Sequence, residues 1–301
     1  MLRLPLTDKE KLERIIATTG VSRSELARRL EVSYKTVYRW LDQDVAPHPS
    51  QSRDIDQLFK EYVDLREAVF ALQKKNKDPL KILKTNLEIR EKFFLEMTYH
   101  SNAIEGSRMT KKETELAFQG QKVKGKEFFE VLEAVNHKNA LEFVLEKVRS
   151  SFKIDEQFVL RLHEIVMYNF NNKLPGKYRT SQVNLTDAAK PLPSAQDVPL
   201  RMGKFLKSVN QYGHDPIGKI ARNHYDFEAI HPFFDGNGRV GRLLMMAQLL
   251  SRNFAPAIIQ VDDRYKYYAA LEKGDLGDLK NMVQMACDSV IKGYELITGK
   301  N

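Results

Sequence analysis

The residues best suited to chemistry in this sequence lie together in residues 231–242, which read His-Pro-Phe-Phe-Asp-Gly-Asn-Gly-Arg-Val-Gly-Arg. Gly236 and Gly238 free the backbone to turn tightly and to present successive N–H groups to an anion. The helix predicted to follow adds unpaired N–H groups and the positive end of its dipole. Arg239 and Arg242 stand three residues apart, so on that helix they share a face and reach toward the same anion. The segment therefore predicts a phosphate site.

Two further side chains of this segment add a metal ligand and a base. Asp235 suits Mg²⁺, because that ion binds a carboxylate together with phosphate oxygens and water. His231 is the residue type whose ordinary pKa suits proton removal near neutrality. The pattern indicates a site for a magnesium-bound polyphosphate with a base beside it.

The segment resembles the signature of the Fic family, His-x-Phe-x-Asp/Glu-Gly-Asn-Gly-Arg-x-x-Arg. Every fixed position is filled, by His231, Phe233, Asp235, Gly236, Asn237, Gly238, Arg239 and Arg242. The alternative is a glycine-rich turn that caps a core helix, with a satisfied histidine and two surface arginines. Such a turn needs none of the charged or titratable residues at these offsets, so the Fic interpretation is favoured.

The resemblance implies transfer of AMP from ATP to a Tyr, Thr or Ser hydroxyl of a protein, and this protein is itself a candidate target. His231 would accept the proton of the hydroxyl, Asp235 would hold Mg²⁺, and Phe233 would anchor the loop. The ATP phosphates would lie against Gly236, Asn237, Gly238, Arg239 and Arg242. Relatives of this kind also suggest a homodimer.

A second motif, residues 101–106, resembles the inhibitory motif of Fic proteins that block their own site, Ser/Thr-x-x-x-Glu-Gly/Asn. Ser101, Glu105 and Gly106 match it, on an inhibitory helix predicted at about 84–106. The resemblance implies that Glu105 competes with the terminal phosphate of the nucleotide for Arg242. A buried Arg–carboxylate pair is costly to break from one side. Alone, this short motif equally describes a helix that ends at a capping glycine.

The N-terminal region resembles the helix-turn-helix of small bacterial DNA-binding modules. Residues 7–10 and 22–25 are capping-box patterns, and two short helices follow each other closely. The candidate DNA-binding residues on the predicted recognition helix are Tyr34, Lys35, Thr36 and Arg39. Glu31 stands where such modules usually place glycine, and a left-handed backbone there costs about 1–2 kcal/mol. The alternative is a small helical bundle that docks on the main domain or on another protein.

Apolar residues at helical spacing run through almost the whole chain, so the predicted fold class is all-α. The exception is residues 175–193, predicted as a short β-hairpin that resembles the Fic flap, on which a target segment is laid as an added strand. The predicted domains are a helix-turn-helix module over 1–46, a linker and connecting helix over 47–79, and a Fic-like domain over 80–297. His163 and His224 are interpreted as packing or hydrogen-bonding residues.

The composition bounds the class of protein. With 301 residues, 42% hydrophobic and 29% charged, the chain suits one large or two modest soluble domains. A net charge of +8 and a pI near 9.3 favour acidic partners such as nucleotides or nucleic acid. The single cysteine, Cys287, excludes an intrachain disulfide and fits a reducing cytoplasm. No secretory segment opens the chain and no apolar run reaches the length of a membrane span, so a cytoplasmic protein is expected.

Two alternatives stay open on sequence alone. The first is a Fic enzyme that transfers a different phosphoryl or nucleotidyl group, or that removes AMP with the glutamate of the inhibitory motif positioning water. The second is a DNA-binding transcriptional regulator whose Fic-like domain senses a nucleotide.

Overall fold

The computed structural model describes residues 6–150, 152–170, 174–183 and 190–299. These residues are all-helical, with no strand among them, which confirms the predicted all-α class. The chain divides into two compact units, Met1–Lys75 and Asn76–Asn301. Among the described residues, no helix combines the length and the apolar composition needed to cross a bilayer.

The first unit contains α1 (Asp8–Thr19), α2 (Arg23–Arg29), α3 (Tyr34–Asp42), α4 (Pro49–Tyr62) and α5 (Arg66–Lys75). A hydroxyl side chain caps the start of each of the first three helices, from Thr7, Ser22 and Ser33. Between α2 and α3, Glu31 has φ of 53°, so a residue other than glycine adopts the left-handed backbone at this turn.

The segment predicted as a linker and one connecting helix, residues 47–79, instead contains α4 and α5. The chain turns between them at Val63 and Leu65, which are buried, and Asp64 Oδ1 accepts the N–H of Arg66 at 2.9 Å to start α5. Helix α4 is joined to α1 by the fully buried Lys11, whose Nζ lies 2.5 Å from Asp56 Oδ1.

The second unit is built around one buried helix. Its helices are α6 (Pro79–Thr85), α7 (Leu87–Ile104), α8 (Lys111–Phe118), α9 (Phe128–Lys147), α10 (Glu156–Val166), α11 (Val198–Ser208), α12 (Pro216–Ile230), α13 (Asn237–Ser251), α14 (Arg264–Asp275) and α15 (Lys280–Ile297), with short 3₁₀ helices at Ala195–Asp197 and Val261–Asp263. Every residue of α13 is buried, and α7, α9, α10 and α12 pack against it. Because α13 lies at the centre, the loop before it is held by residues from several helices.

The inhibitory helix predicted at about 84–106 is α7, and it is shorter than predicted. Asn86 ends α6 and caps α7, because its Oδ1 accepts the N–H of Ile89 at 3.0 Å. The helix ends before Gly106, whose φ of 104° suits glycine.

The predicted β-hairpin flap lies partly outside the described residues, because its residues 184–189 are not among them. Its described arms, residues 175–183 and 190–193, contain no strand. The two arms nevertheless meet, since Gln182 Nε2 donates to the carbonyl of Leu192 at 3.3 Å.

Candidate active site

The segment between α12 and α13, residues 231–236, forms a tight turn that we call the site loop. The side chain of Asn237 holds it closed: Oδ1 accepts the N–H of Phe233 and Nδ2 donates to the carbonyl of Phe233, both at 2.9 Å. The Phe233 ring is fully buried and stacks on His163, with ring centroids 3.7 Å apart. The Asn237 side chain thus fixes the shape of the loop, and its predicted contact with phosphate is left to its backbone N–H.

His163 supports the same turn from α10. Its Nδ1 accepts the N–H of Gly176 at 3.0 Å, so Nε2 carries the proton and donates to the carbonyl of Asp235 at 3.1 Å. Burial lowers the pKa of His163 to about 4, so the ring is neutral at pH 7. His163 is therefore a hydrogen-bonding residue, as interpreted from the sequence. His224 is also buried, with Nε2 2.9 Å from the hydroxyl of Tyr267.

The start of α13 is built as an anion site. Gly236 caps the helix with φ of 77°, and the first N–H to bond back is that of Val240, to the carbonyl of Gly236 at 2.9 Å. The N–H groups of Asn237, Gly238 and Arg239 precede it and form the unpaired first turn. Gly238 leaves room there, because a Cβ at this position would overlap Glu105 Oε1.

His231 lies at the end of α12 with a left-handed backbone, φ 50°. Its N–H donates to the carbonyl of Phe227 at 3.0 Å. Burial lowers the pKa of His231 to about 4, while the carbonyl of Glu228 acts in the opposite direction. The imidazole is therefore neutral at pH 7, which is the form that accepts a proton.

Asp235 is the most exposed polar residue of the loop, with 61% of its side chain accessible. Its Oδ1 accepts from the N–H of Gly236 at 2.5 Å and from Arg239 NH2 at 3.1 Å. No group of three or more His, Cys, Asp or Glu residues that could enclose a metal occurs in the described part of the chain. One accessible carboxylate beside an anion site fits Mg²⁺, which is usually held by one or two carboxylates and substrate phosphates.

Both arginines of the segment are buried and both are held by carboxylates. Arg239 NH1 donates to Glu133 Oε1 at 2.8 Å, in addition to its bond with Asp235. Arg242 NH2 donates to Glu105 Oε1 at 2.7 Å and to the carbonyl of Ser101 at 2.8 Å, and Arg242 Nε donates to Ser101 Oγ at 2.9 Å.

The structure thus brings Ser101 and Glu105, the polar residues of the second motif, onto one arginine of the first. Burial alone acts to lower the pKa of Arg242, but the charge of Glu105 is among the interactions that raise it above its ordinary value. The Glu105 carboxylate lies against Gly238, at the first turn of α13, where an anion would bind.

Two residues at the site were missed by sequence reasoning. Glu133 lies among the ordinary charged residues of α9 and holds Arg239. Arg179 lies in a segment without periodicity and donates its Nε to the carbonyl of His231 at 2.8 Å. No local pattern marks either residue, because each partner is far away in the sequence.

The candidate DNA-binding residues lie on α3 of the first unit. Tyr34, Lys35 and Arg39 are exposed on α3, whereas the hydroxyl of Thr36 is 2.8 Å from Ser33 Oγ. The sequence reasoning missed Tyr38, which is 42% exposed on the same helix.

Fold and site together define an all-helical protein with a glycine-containing loop at the start of its central helix and a carboxylate that lies against the first turn of that helix. Residues 153–249 match the sequence profile of the Fic/DOC family. The chain belongs to this family.

Relatives and solved structures agree with this membership. The chain is 33% identical over 240 residues to the protein adenylyltransferase Fic of Nematostella vectensis, covering 77% of this chain and 54% of that protein. It is 34% identical over 205 residues to the protein adenylyltransferase fic-1 of Caenorhabditis briggsae, covering 65% of this chain and 39% of that protein. The chain thus spans about half or less of the length of these relatives.

Two solved structures share the fold. Residues 134–508 of Fic-1 from C. elegans align with a TM-score of 0.69 at 24% identity, over 98% of this chain and 88% of that one. A Fic domain containing signaling protein from Bacteroides thetaiotaomicron aligns with a TM-score of 0.67 at 21% identity, over 79% of this chain and 98% of that one. At these identities the likeness concerns the fold.

Proposed function

We propose that the protein is an adenylyltransferase that transfers AMP from ATP to a Tyr, Thr or Ser hydroxyl of a protein, and that Glu105 restrains it at rest. One arrangement carries the proposal. A neutral, half-buried His231 lies on the same short loop as Asp235, beside the first N–H groups of α13 and its two buried arginines. The relatives named as protein adenylyltransferases support the choice of AMP over other groups.

The chemistry follows from the position of these groups. The target hydroxyl gives its proton to His231 as its oxygen attacks the α-phosphorus of ATP, and the bond to pyrophosphate breaks. The N–H groups of α13, with Arg239 and Arg242, stabilise the charge that develops on the leaving pyrophosphate. Asp235 would hold Mg²⁺, which when bound neutralises phosphate charge.

Restraint by Glu105 follows from its present partners. While Glu105 accepts from Arg242 and covers the first turn of α13, the terminal phosphate meets a negative charge and an occupied arginine. Withdrawal of Glu105 leaves Arg242 for the nucleotide. The homodimer suggested by resemblance and the cytoplasmic location suggested by the single cysteine belong to the same proposal.

The direct test is to incubate the wild type and Glu105→Gly with labelled ATP, Mg²⁺ and a lysate of the source cells, and to identify labelled proteins by mass spectrometry. Labelling is expected to rise in Glu105→Gly and to vanish in Glu105→Gly/His231→Ala, which should still bind ATP. Glu88→Gly, an exposed site on the same helix α7, is the matched control and should behave as wild type. Equal labelling with and without His231 would overturn the assignment of the base. Labelling by a nucleotide other than ATP would favour a different transfer reaction.

A second function, DNA binding by the first unit, is supported by the outer face of α3. Two exposed tyrosines, Tyr34 and Tyr38, lie there with Lys35 and Arg39, and in the described residues neither Lys35 nor Arg39 forms an ion pair. Arg28 and Arg29, by contrast, both pair with Glu25. Exposed aromatic and basic residues on a recognition helix suit contact with base edges and phosphates.

Gel-shift titrations with DNA from upstream of the protein's own gene would test this function. Each of Lys35→Ala and Arg39→Ala is expected to weaken binding and to lower the salt dependence by about one phosphate contact. A sequence-specific complex that is unchanged in both variants would refute the assignment of these two residues, and no complex at all would favour a docking module instead.

A further inference from the structure

We propose that Arg179 is a positioning residue for the transfer reaction. It couples the arms of the flap to the backbone of His231, the proposed base. The proposal rests on the function proposed above. Four donors of this one residue reach backbone carbonyls: N to Pro232 at 2.9 Å, Nε to His231 at 2.8 Å, NH1 to Ser181 at 3.3 Å and NH2 to Pro193 at 2.6 Å. Two acceptors lie in the site loop and two in the arms of the flap.

The nature of these partners separates Arg179 from an ordinary buried ion pair. Only 2% of the residue is exposed, and burial lowers the pKa of its guanidinium. Within the described residues no carboxylate forms an ion pair with it, and the partners of its guanidinium there are backbone carbonyl oxygens. Burying a charge in this way is costly. A guanidinium is a rigid planar group with several N–H donors, so it can hold several carbonyl groups in fixed orientations. A lysine ammonium does not provide this geometry.

The acceptor in the site loop is the residue whose placement matters most. His231 has a left-handed backbone, which for a residue other than glycine is strained and persists only where its surroundings hold it. The Nε bond fixes the orientation of the peptide that follows His231, and with it the direction in which the imidazole leaves the backbone. The positive charge of Arg179 also opposes protonation of the ring, whereas Glu105 and Asp235 favour it.

The carbonyl acceptors in the arms of the flap connect Arg179 to the surface on which the target would lie. A target segment laid along the flap brings its hydroxyl to His231, and proton transfer requires the two groups to approach within about 3 Å. Ser181 and Pro193 lie on opposite arms, and the same guanidinium that holds them holds His231. Arg179 thereby fixes the distance between the surface that receives the target and the group that takes its proton.

Kinetics on the Glu105→Gly background test the coupling. We expect Arg179→Met to lower kcat/KM for the labelled target by at least about 100-fold while the Kd for ATP changes less than twofold. Arg179→Lys should not restore the rate, because a single ammonium nitrogen cannot reach three carbonyls that are spaced for the three separate nitrogens of a guanidinium. The acidic limb of the pH profile should move to higher pH in Arg179→Met, because a positive charge near the imidazole is lost. Arg201→Met, at an exposed site on α11, is the control and should match its parent.

Hydrogen exchange on the same variants gives a readout that needs no activity. Arg179→Met should raise exchange in peptides 177–183, 190–195 and 228–236, with protection in the middle of α13 unchanged. Unchanged exchange around His231 would overturn the proposal. A loss of ATP affinity as large as the loss of kcat/KM, together with a loss of protection throughout the second unit, would also overturn it. If the Glu105→Gly parent labels nothing, the proposed function fails, and the exchange result alone decides whether Arg179 couples the flap to the loop.

Discussion

Replacing Glu105 with glycine removes the carboxylate that contacts both Arg242 and the first turn of α13. The bond from Arg242 NH2 to Glu105 Oε1 is 2.7 Å long, and the side chain of Arg242 is 2% exposed while that of Glu105 is 33% exposed. A hydrogen bond to a charged partner contributes about 1.5–3 kcal/mol, and the partial exposure of Glu105 places this one near the lower end, at about 2 kcal/mol. ATP must displace the pair in the wild type but not in the variant. The Kd for ATP is therefore expected to fall by roughly 10- to 30-fold, since 1.4 kcal/mol corresponds to a factor of ten.

Titration calorimetry with ATP and Mg²⁺ measures this difference, and adding His231→Ala to both proteins prevents turnover during the titration. Without nucleotide, Glu105→Gly should unfold at a lower temperature than wild type, because a buried cation loses a carboxylate partner. Saturating ATP should remove that difference, because the tighter binding to the variant offsets the stability lost with the Arg242–Glu105 pair. Glu88→Gly should leave the Kd for ATP unchanged. An ATP affinity and a labelling rate that are both unchanged in Glu105→Gly would refute the reasoning.

Three further outcomes are expected. Glu31→Gly should raise the free energy of unfolding of the first unit by about 1 kcal/mol, measured by urea titration, because the backbone there is left-handed; a loss of stability would contradict this reason. Lys11→Met should lower it by about 3–5 kcal/mol in the same assay, because two buried carboxylates lose the ammonium between them, and a neutral result would show that the pair contributes nothing. Burial raises the pKa of Glu228 to about 8, above its ordinary value of 4.5, so at neutral pH the folded protein holds a proton there that the unfolded chain has released. The free energy of unfolding of the wild type should therefore fall by about 1 kcal/mol per pH unit from pH 5 to pH 8, relative to that of Glu228→Gln. Parallel stability curves for the two proteins would exclude the shift.

The parts of the site that could be predicted are those whose chemistry is local. Two glycines that flank an asparagine, a carboxylate and two arginines within residues 231–242 predict an anion site at a helix start, because helix geometry alone sets their relative directions. The turn at Glu31 could be predicted in the same way, because two helices with capping residues flank it.

Other features could not be predicted because they depend on which surfaces pack together. Helical periodicity shows which face of α9 or α10 is buried, but not that Glu133 meets Arg239 or that His163 stacks on Phe233. The boundaries of α4, α5 and α7 also differ from expectation, because single capping contacts at Asp64 and Asn86 decide them.

What the sequence determined by itself is the class of the chain and the residues of the loop: an all-helical chain of the Fic type with a histidine, a carboxylate and two arginines in one short segment. Only the tertiary structure decided which residues hold that loop in place. Arg242 and Glu105 are 137 residues apart in the chain, and Arg179 and His231 are 52 apart. Such pairs form only when a whole core packs, because no local backbone preference acts over that distance. The state of the site, covered by Glu105 and braced by Arg179, is therefore a property of the fold.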